Sequence, residues 1–426
     1  MLAAALAAGA SGAALPAAAA PVAYASDAAA GSGASLSVRQ PDTLRIVGLG
    51  DSLTAGYEYG MEKLAAPVPY GYVDRVYEQA LFHGRAEAAN YGILGLKTGD
   101  LHKLLIAVEA GTPISAAELE SAAVDPRAAA IVGGSARIRT DLQQADLVVI
   151  TIGANDFSAL VKGGAANRAG ELDKLLAAYD AELDASLRLL YELQPSVRVV
   201  VADQYSPIPF NKLLPVTKED YDFYWEAADR LTAKLGEIAA RFKREGRDAR
   251  VAYAAAGFKG REMSLTSVLA SKGQDFHPNR DGYQVIGQAF AEAVWGEFRT
   301  VAPRPEGVPI SVVVDGKEVL GPYKPVSKAG RTYLVLADVA RATGARLLWD
   351  NKTKTATLML NGHTVALTVD AKSMVVDGRR VPVESPAFLL QAGKEKKTYV
   401  PLSAIAAGLG LQVVYRPQLK TAFINS

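Results

Sequence analysis

The 426 residues are 50% apolar and 21% charged, an ordinary globular composition long enough for two or three domains. Cysteine is absent, which excludes disulfides, thiolate catalysis and cysteine-based metal sites. The net charge of +1 is uneven, since residues 301–426 hold 17 Lys+Arg against 9 Asp+Glu, net +8, and residues 1–300 carry −7. A basic C-terminal third is either a solvated surface or one drawn to an anionic polymer such as a cell wall, and with no basic-aromatic stripe nucleic acid is not an expected partner.

Met1 to Ala25 is almost wholly Ala, Leu, Gly, Pro and Val, and Ala23-Tyr24-Ala25 has the small-x-small form of a signal-peptidase site. The first basic residue is Arg39, so the stretch reads as an export signal truncated of its charged beginning, or as an Ala-rich tail, with 26–43 as a linker. Interrupted by Gly9, Gly12 and Pro16, it makes a poor permanent span, and no other segment offers the roughly 20 apolar residues one needs. From Leu44 to Thr300, short β-branched runs alternate with amphipathic stretches, the pattern of a parallel sheet covered on both faces. The predicted strands are Leu44–Gly48, Ala86–Tyr91, Leu147–Ile152, Arg198–Ala202 and Ala249–Tyr253. Leu172–Leu193, Glu219–Arg244 and Gly282–Phe298 have helical spacing, whereas Pro113–Leu142 fits the alternation poorly and reads as an insertion at the strand ends.

Ala302 to Gly307 is a Pro/Gly-rich break, which separates a domain over 44–300 from a second over 308–426. In the second, Arg331–Leu358 aligns without gaps on Lys397–Ile424, and Val313-Val314-Asp315-Gly316 is echoed by Val375-Val376-Asp377-Gly378. This is a tandem duplication of a small α+β unit: hairpin, strand, a short helix such as Leu336–Thr343, then two strands.

Four islands of the first domain fit one acyl-transfer site. Ser52, in Gly50-Asp51-Ser52-Leu53-Thr54, closes the first strand; a serine hydroxyl needs a base and donors for the oxyanion. Gly95 follows the second strand in Asn90-Tyr91-Gly92-Ile93-Leu94-Gly95, where a glycine lets a backbone N–H approach a ligand. Asn155, in Gly153-Ala154-Asn155-Asp156 after the third strand, can donate a side-chain amide. His277, in Phe276-His277-Pro278-Asn279 before the last helix, can reach back to Ser52 as general base. Taken alone, Gly50-Asp51-Ser52 and Asn155-Asp156 also read as helix caps, Gly92 and Gly95 as turn glycines and His277 as a buried structural histidine, with Asp51 and Asp156 as loop-fixing carboxylates. His83, His102 and His363 have no second ligand at metal spacing, so no metal or cofactor is expected. Leu53 stands where a dinucleotide fingerprint needs its third glycine, and Thr54 breaks a G-x-S-x-G elbow.

In order and context, Gly50-Asp51-Ser52-Leu53, Gly95, Gly153-Ala154-Asn155-Asp156 and His277-Pro278-Asn279 resemble the four blocks of the SGNH, or GDSL, hydrolases over about residues 44–300. The resemblance implies a three-layer α/β/α, flavodoxin-like parallel sheet, Ser52 as nucleophile, His277 as base, and an oxyanion hole of the Ser52 and Gly95 N–H groups with the Asn155 amide. The family usually places an aspartate three residues before the histidine; Gln274 stands there and Asp275 only two before, so the imidazole is held either by Asp275 or by a backbone carbonyl in a dyad. Arg331-Thr332-Tyr333 and Thr398-Tyr399-Val400-Pro401-Leu402 with their helices resemble the copper amine oxidase N-terminal, or stalk, module, which implies a spacer or surface attachment; one histidine and no cysteine there suit no copper site.

The expectation is a secreted or cell-surface serine esterase or lipase of a Gram-positive-type bacterium, acting on a lipid, a small acyl ester or an acetylated glycan, with a possible cell-wall polymer as partner of its basic module. The alternatives are a polysaccharide or cell-wall O-acetyl esterase, and a surface-binding protein with an inactive hydrolase fold.

Overall fold

Runs of β-branched and small residues too short for helices become strands buried along their length. The computed structural model describes residues 22–24, 42–119, 125–162, 168–211, 216–328 and 330–426. Its first sheet contains β1 (Val22–Tyr24), β2 (Leu44–Gly50), β3 (Ala86–Gly92), β4 (Leu147–Thr151), β5 (Arg198–Ala202) and β6 (Ala249–Ala252), in the order β1-β3-β2-β4-β5-β6. β2 to β6 are the parallel strands foreseen, each within two residues of its expected ends. β1 adds antiparallel to β3, pairing Ala23 with Ala89. It comes from the stretch read as an export signal, the rest of which lies outside the described residues, as does most of the 26–43 linker.

Counted along the chain, the five parallel strands stand in the order 2-1-3-4-5, the flavodoxin-like winding. All five residues of β4 and six of seven in β2 are buried, because helices cover both faces. Alternation along β2 sends Val47 and Leu49 into a core with Leu104, Leu183 and Ile238, from the helices Thr98–Ala110, Arg168–Leu193 and Lys218–Arg244. The opposite face meets the helices Tyr72–His83 and Arg280–Trp295, whose Tyr72 and Phe290 rings stack 4.5 Å apart. Of the poorly fitting 113–142 stretch, the described part forms a 3-10 turn at Ala116–Glu118 and the helices Ala128–Gly133 and Ser135–Gln143.

Contacts divide the chain into two compact units; among the described residues, the first takes in 22–24, 44–77 and 87–298, the second 42–43, 78–86 and 299–426. In the second the duplication is visible element by element. Arg331–Val335, the helix Leu336–Thr343, Arg346–Asp350 and Thr355–Leu360 are matched by Glu395–Pro401, the helix Leu402–Gly408, Gln412–Arg416 and Thr421–Asn425. The leading strands of the two copies pair antiparallel, Leu334 against Val400, while the following hairpins lie in separate sheets. Both helices contribute to one apolar core, Leu336 and Val339 with Leu402 and Ile405. The echoed Val-Val-Asp-Gly sequences are two hairpin turns: Val314 pairs with Lys317 and Val376 with Arg379, with both Asp and both Gly at positive φ, as a two-residue type I′ turn requires.

One close approach in the first unit fixes where the sheet meets its site. A Cβ on Gly92, the last residue of β3, would lie 2.2 Å from the Ala55 nitrogen in the one-turn helix Ser52–Ala55. The Asn90 side chain adds to this junction, donating to Thr54 O at 2.7 Å and accepting from the Gly92 N–H at 2.9 Å. Gly92→Ala is therefore expected to lower the unfolding free energy by about 1–3 kcal/mol, the usual cost of overpacking. Urea unfolding of the two proteins checks this; an unchanged midpoint would contradict the close approach.

Candidate active site

Where strand order reverses, the connections leaving two neighbouring strands diverge and open a crevice at their carboxyl ends. Here that point lies between β2 and β4, and the residues after them are Asp51-Ser52 and Ile152 to Asn155. Asp51 caps the helix Ser52–Ala55: one carboxylate oxygen accepts the Leu53 N–H at 3.0 Å and the Thr151 hydroxyl at 3.1 Å. The Thr54 hydroxyl ties the same turn to Leu49 O, Thr151 and Tyr72 at 2.7–2.8 Å. Ser52 is thus the first residue of a helix pinned on both sides, and no described residue accepts its backbone N–H.

His277 approaches from the loop before Arg280–Trp295, with Nε2 2.8 Å from Ser52 Oγ. Its carbonyl accepts the Ser267 N–H at 2.8 Å, the next residue bridges to Thr266, and Asn279 caps the helix that follows. The Tyr57 ring and the imidazole pack edge to face, centroids 4.7 Å apart, and the Tyr57 hydroxyl donates to Glu62 at 3.0 Å.

Of the two ways left open for holding the imidazole, the geometry has the carboxylate. Both Asp275 oxygens lie 3.1 Å from Nδ1, and one also accepts the His277 backbone N–H at 2.8 Å. An aspartate only two residues away reaches because Ser271 bends the loop, its hydroxyl accepting the Asp275 N–H at 2.8 Å and donating to the Asp275 carbonyl at 3.1 Å. With Nδ1–H facing a carboxylate, the Nε2 lone pair faces Ser52. Gln274 is exposed.

Gly95 sits in the turn Ile93–Leu96, closed by the Leu96 N–H to Ile93 O at 3.2 Å. Its φ of +80° suits glycine, and the turn hangs from β2 through the Ile93 N–H to Gly50 O at 2.9 Å. The Asn155 amide donates one hydrogen to Leu96 O at 3.0 Å, which leaves its second hydrogen for another acceptor. Asp156 accepts the Thr98 N–H and hydroxyl, both at 3.1 Å, and so fixes the start of Thr98–Ala110. The five expected site residues are therefore brought together: Ser52, His277 and Asp275 as a hydrogen-bonded chain, Gly95 in the turn hung from Gly50, and Asn155, from the helix Ala154–Lys162, bonded to that turn.

The remaining histidines lie elsewhere. His102 pairs with Glu182 at 2.7 Å and His363 with Asp377 at 2.9 Å, while His83 is exposed at a helix end. Among the described residues no group of His, Cys, Asp and Glu is gathered as for a metal. Sequence reasoning missed Tyr57 and Asn90, and it also missed Asp125, whose carboxylate accepts the Leu94 N–H at 2.8 Å. Asn90 stood inside the block that holds Gly95, whereas Tyr57 and Asp125 carry no local pattern that points to the site.

Two buried carboxylates are shifted in opposite directions. Burial pushes the Asp51 carboxyl up to about 7, outweighing its bonds from Leu53 and Thr151 and the nearby His277, and its second oxygen has no partner. Burial also acts on Asp275, yet the His277 side-chain bond, its charge and its backbone N–H together hold that carboxyl below the ordinary range.

The signs can be tested separately. A carboxyl raised in the folded state binds more protons there than in the unfolded chain, so Asp51 weakens stability as pH climbs from its unfolded value of 3.8 to about 7. Asp51→Asn is expected to flatten this part of the melting-temperature profile; parallel profiles for the two proteins would contradict it. The lowered Asp275 contributes stability above 3.8 that is lost as pH falls further, and Asp275→Asn is expected to remove that acid-side loss.

Comparisons with known proteins agree with the resemblance read from the four blocks. Residues 313–424 match the copper amine oxidase N-terminal domain. Among solved structures, the lipase Lip_vut3 from a goat rumen metagenome is similar at 18% identity over 60% of this chain and 100% of that one, TM-score 0.42. The extracellular lipase of Streptomyces rimosus is similar at 19% over 58% and 99%, TM-score 0.38. Axe2, an acetylxylan esterase from Geobacillus stearothermophilus, is similar at 17% over 61% and 97%, TM-score 0.37. Likenesses of this size say nothing about what this chain acts on. No curated protein matches. Residues 49–285, more than half of the chain, match the GDSL-like lipase/acylhydrolase family, and with the 2-1-3-4-5 sheet carrying those blocks at its switch point, the chain belongs to that family.

Proposed function

We propose that the protein is an exported serine esterase that hydrolyses carboxylic esters through an acyl-Ser52 intermediate. The observation that carries this reading is the chain Ser52 Oγ, His277 Nε2, His277 Nδ1, Asp275, with links of 2.8 and 3.1 Å. As Ser52 Oγ attacks the ester carbonyl carbon, its proton passes to Nε2 and the carbonyl π electrons move onto oxygen. The imidazolium so formed faces the Asp275 carboxylate. The oxyanion takes hydrogen bonds from the Ser52 and Gly95 N–H groups and the free hydrogen of the Asn155 amide. Collapse breaks the bond to the alcohol oxygen, which leaves with the proton from Nε2. Water then loses a proton to the same nitrogen, attacks the acyl-serine, and the acid departs as Ser52 regains its hydrogen.

A second reading, an O-acetyl esterase acting on a polysaccharide or cell wall, is favoured by the net +8 of residues 301–426, which would draw the enzyme to an anionic glycan. Gln274 three residues before His277 would suit an inactive surface-binding protein; Asp275 on Nδ1 supports turnover instead. Among the described residues no helix is long and apolar enough to cross a membrane. Export rests on the composition of Met1–Ala25.

The test is hydrolysis of a p-nitrophenyl acyl series and of acetylated glycans. Ser52→Ala is expected to lower kcat at least about 10⁴-fold without unfolding the protein, and Asp275→Ala about 10²–10⁴-fold. Substantial turnover by folded Ser52→Ala would refute the assignment of the nucleophile. A preference for sugar-borne acetyl groups would select the second reading. For export, N-terminal sequencing of protein recovered from the medium is expected to begin at Ser26; material starting at Met1 would oppose it.

A further inference from the structure

The oxyanion turn has a choice of conformation that its own residues do not settle. Leu94 and Gly95 are its two central residues; Gly95 is at φ +80° and Leu94 is not among the positive-φ residues, so the turn is type II. Turning over the Leu94–Gly95 peptide would give type I, a change glycine accepts readily, and would swing the Gly95 N–H away from its present direction. No described residue accepts that N–H, so no bond within the protein holds the peptide in place directly. The flanking groups are held instead. The Ile93 N–H goes to Gly50 O, and Leu96 O receives the Asn155 amide. The other two anchors come from the insertion: the Leu94 N–H donates to Asp125 Oδ2 at 2.8 Å, and Arg127 Nη2 donates to Gly92 O at 3.3 Å.

Asp125 and Arg127 are built as one piece. The Arg127 backbone N–H and Nε donate to Asp125 Oδ1 at 2.9 and 3.1 Å, and Nη2 reaches Oδ2 at 2.8 Å. The Asp125 side chain is fully buried and that of Arg127 is 13% exposed, so the carboxylate is buried with its charge paired. A paired, buried acceptor fixed two residues from its partner is a rigid clamp on Leu94.

We infer that Asp125 and Arg127 are positioning residues that lock the Ile93–Leu96 turn in the conformation presenting the Gly95 N–H to the oxyanion, which gives the 113–142 insertion a part in the reaction. The inference rests on the serine esterase reading and adds the means by which its oxyanion hole is preorganised.

The test compares wild type, Asp125→Ala, Asp125→Asn and Arg127→Met, each as the full chain, on p-nitrophenyl acetate, with phenylboronic acid as the probe of oxyanion binding. For Asp125→Ala, kcat is expected to fall about 30–100-fold while KM changes less than about threefold, since a displaced donor is felt in the transition state. Phenylboronic acid should bind more weakly by a similar factor. Asp125→Asn, which keeps an oxygen for the Leu94 N–H, should recover most of kcat, and Arg127→Met should lose part of it. Folded Asp125→Ala with kcat within about threefold of wild type would overturn the inference while leaving the esterase reading intact. Should Asp125→Ala not fold, wild-type kcat in both Asp125→Asn and Arg127→Met, accompanied only by a lower melting temperature, overturns it equally. A wild type without ester turnover would bring down both.

Discussion

The hydrogen bond between Ser52 Oγ and His277 Nε2 joins residues 225 positions apart, and much of the first unit serves to make it. A contact of that span pays heavily in chain entropy unless both ends are fixed beforehand. Ser52 is fixed by the Asp51 cap, the Thr54 hydroxyl network and the close approach of Gly92. His277 is fixed by the Ser267 bond, by Asn279 at the next helix and by Tyr205, whose hydroxyl donates to Phe276 O at 3.1 Å. Neither anchor set is local to the catalytic side chain alone. Loss of either would leave both side chains present and the distance between them unspecified.

The same logic extends to the donors. Ser52 and Gly95 offer backbone N–H groups, whose direction is decided by the path of the chain rather than by a rotamer. Helix packing fixes the first, and the anchors on either side of Leu94–Gly95 fix the second. Asn155 links the two kinds of work, because one amide hydrogen steadies Leu96 O while the other remains to bind. An amide is well suited to this, since its two donors are rigidly coplanar.

What could be read from the sequence follows from how local its cause is. The strands were legible because residues buried on both faces leave continuous apolar runs such as Leu147-Val148-Val149-Ile150. Ser52, Gly95 and Asn155 stood out because each sits in a short block just after a strand, and His277 because its block leads into the last helix of the unit. The duplication was legible because identical turns demand identical residues, as the Asp-Gly pairs at 315–316 and 377–378 show. Asp275 was left open because two-residue and three-residue spacings differ only through the loop path, and that path depends on the Ser271 hydroxyl. Asp125 was illegible for a stronger reason: its partner is a backbone N–H 31 residues earlier, and a backbone group leaves no mark in the sequence. The order of strands came only with the family resemblance, since nothing in a strand's own residues says which strand it lies beside.

Asp51 and Asp275 show how far residue identity alone can mislead. Both are buried aspartates beside His277, and both begin from the same ordinary carboxyl value of 3.8. Asp275 directs both oxygens at the imidazole and its backbone N–H, so the charge it carries is opposed at close range. Asp51 spends one oxygen on Leu53 and Thr151, neither of them a cation, and leaves the other without a partner. Burial therefore wins at Asp51 and loses at Asp275. An imidazolium needs a fixed anion beside Nδ1, and only Asp275 supplies one there. On the proposed esterase reading Asp51 has no such duty, and a group nearer neutrality there adds less negative charge around Ser52. The opposite shifts thus follow from what each carboxylate faces: an imidazole and a backbone N–H at Asp275, two neutral donors and an oxygen without a partner at Asp51.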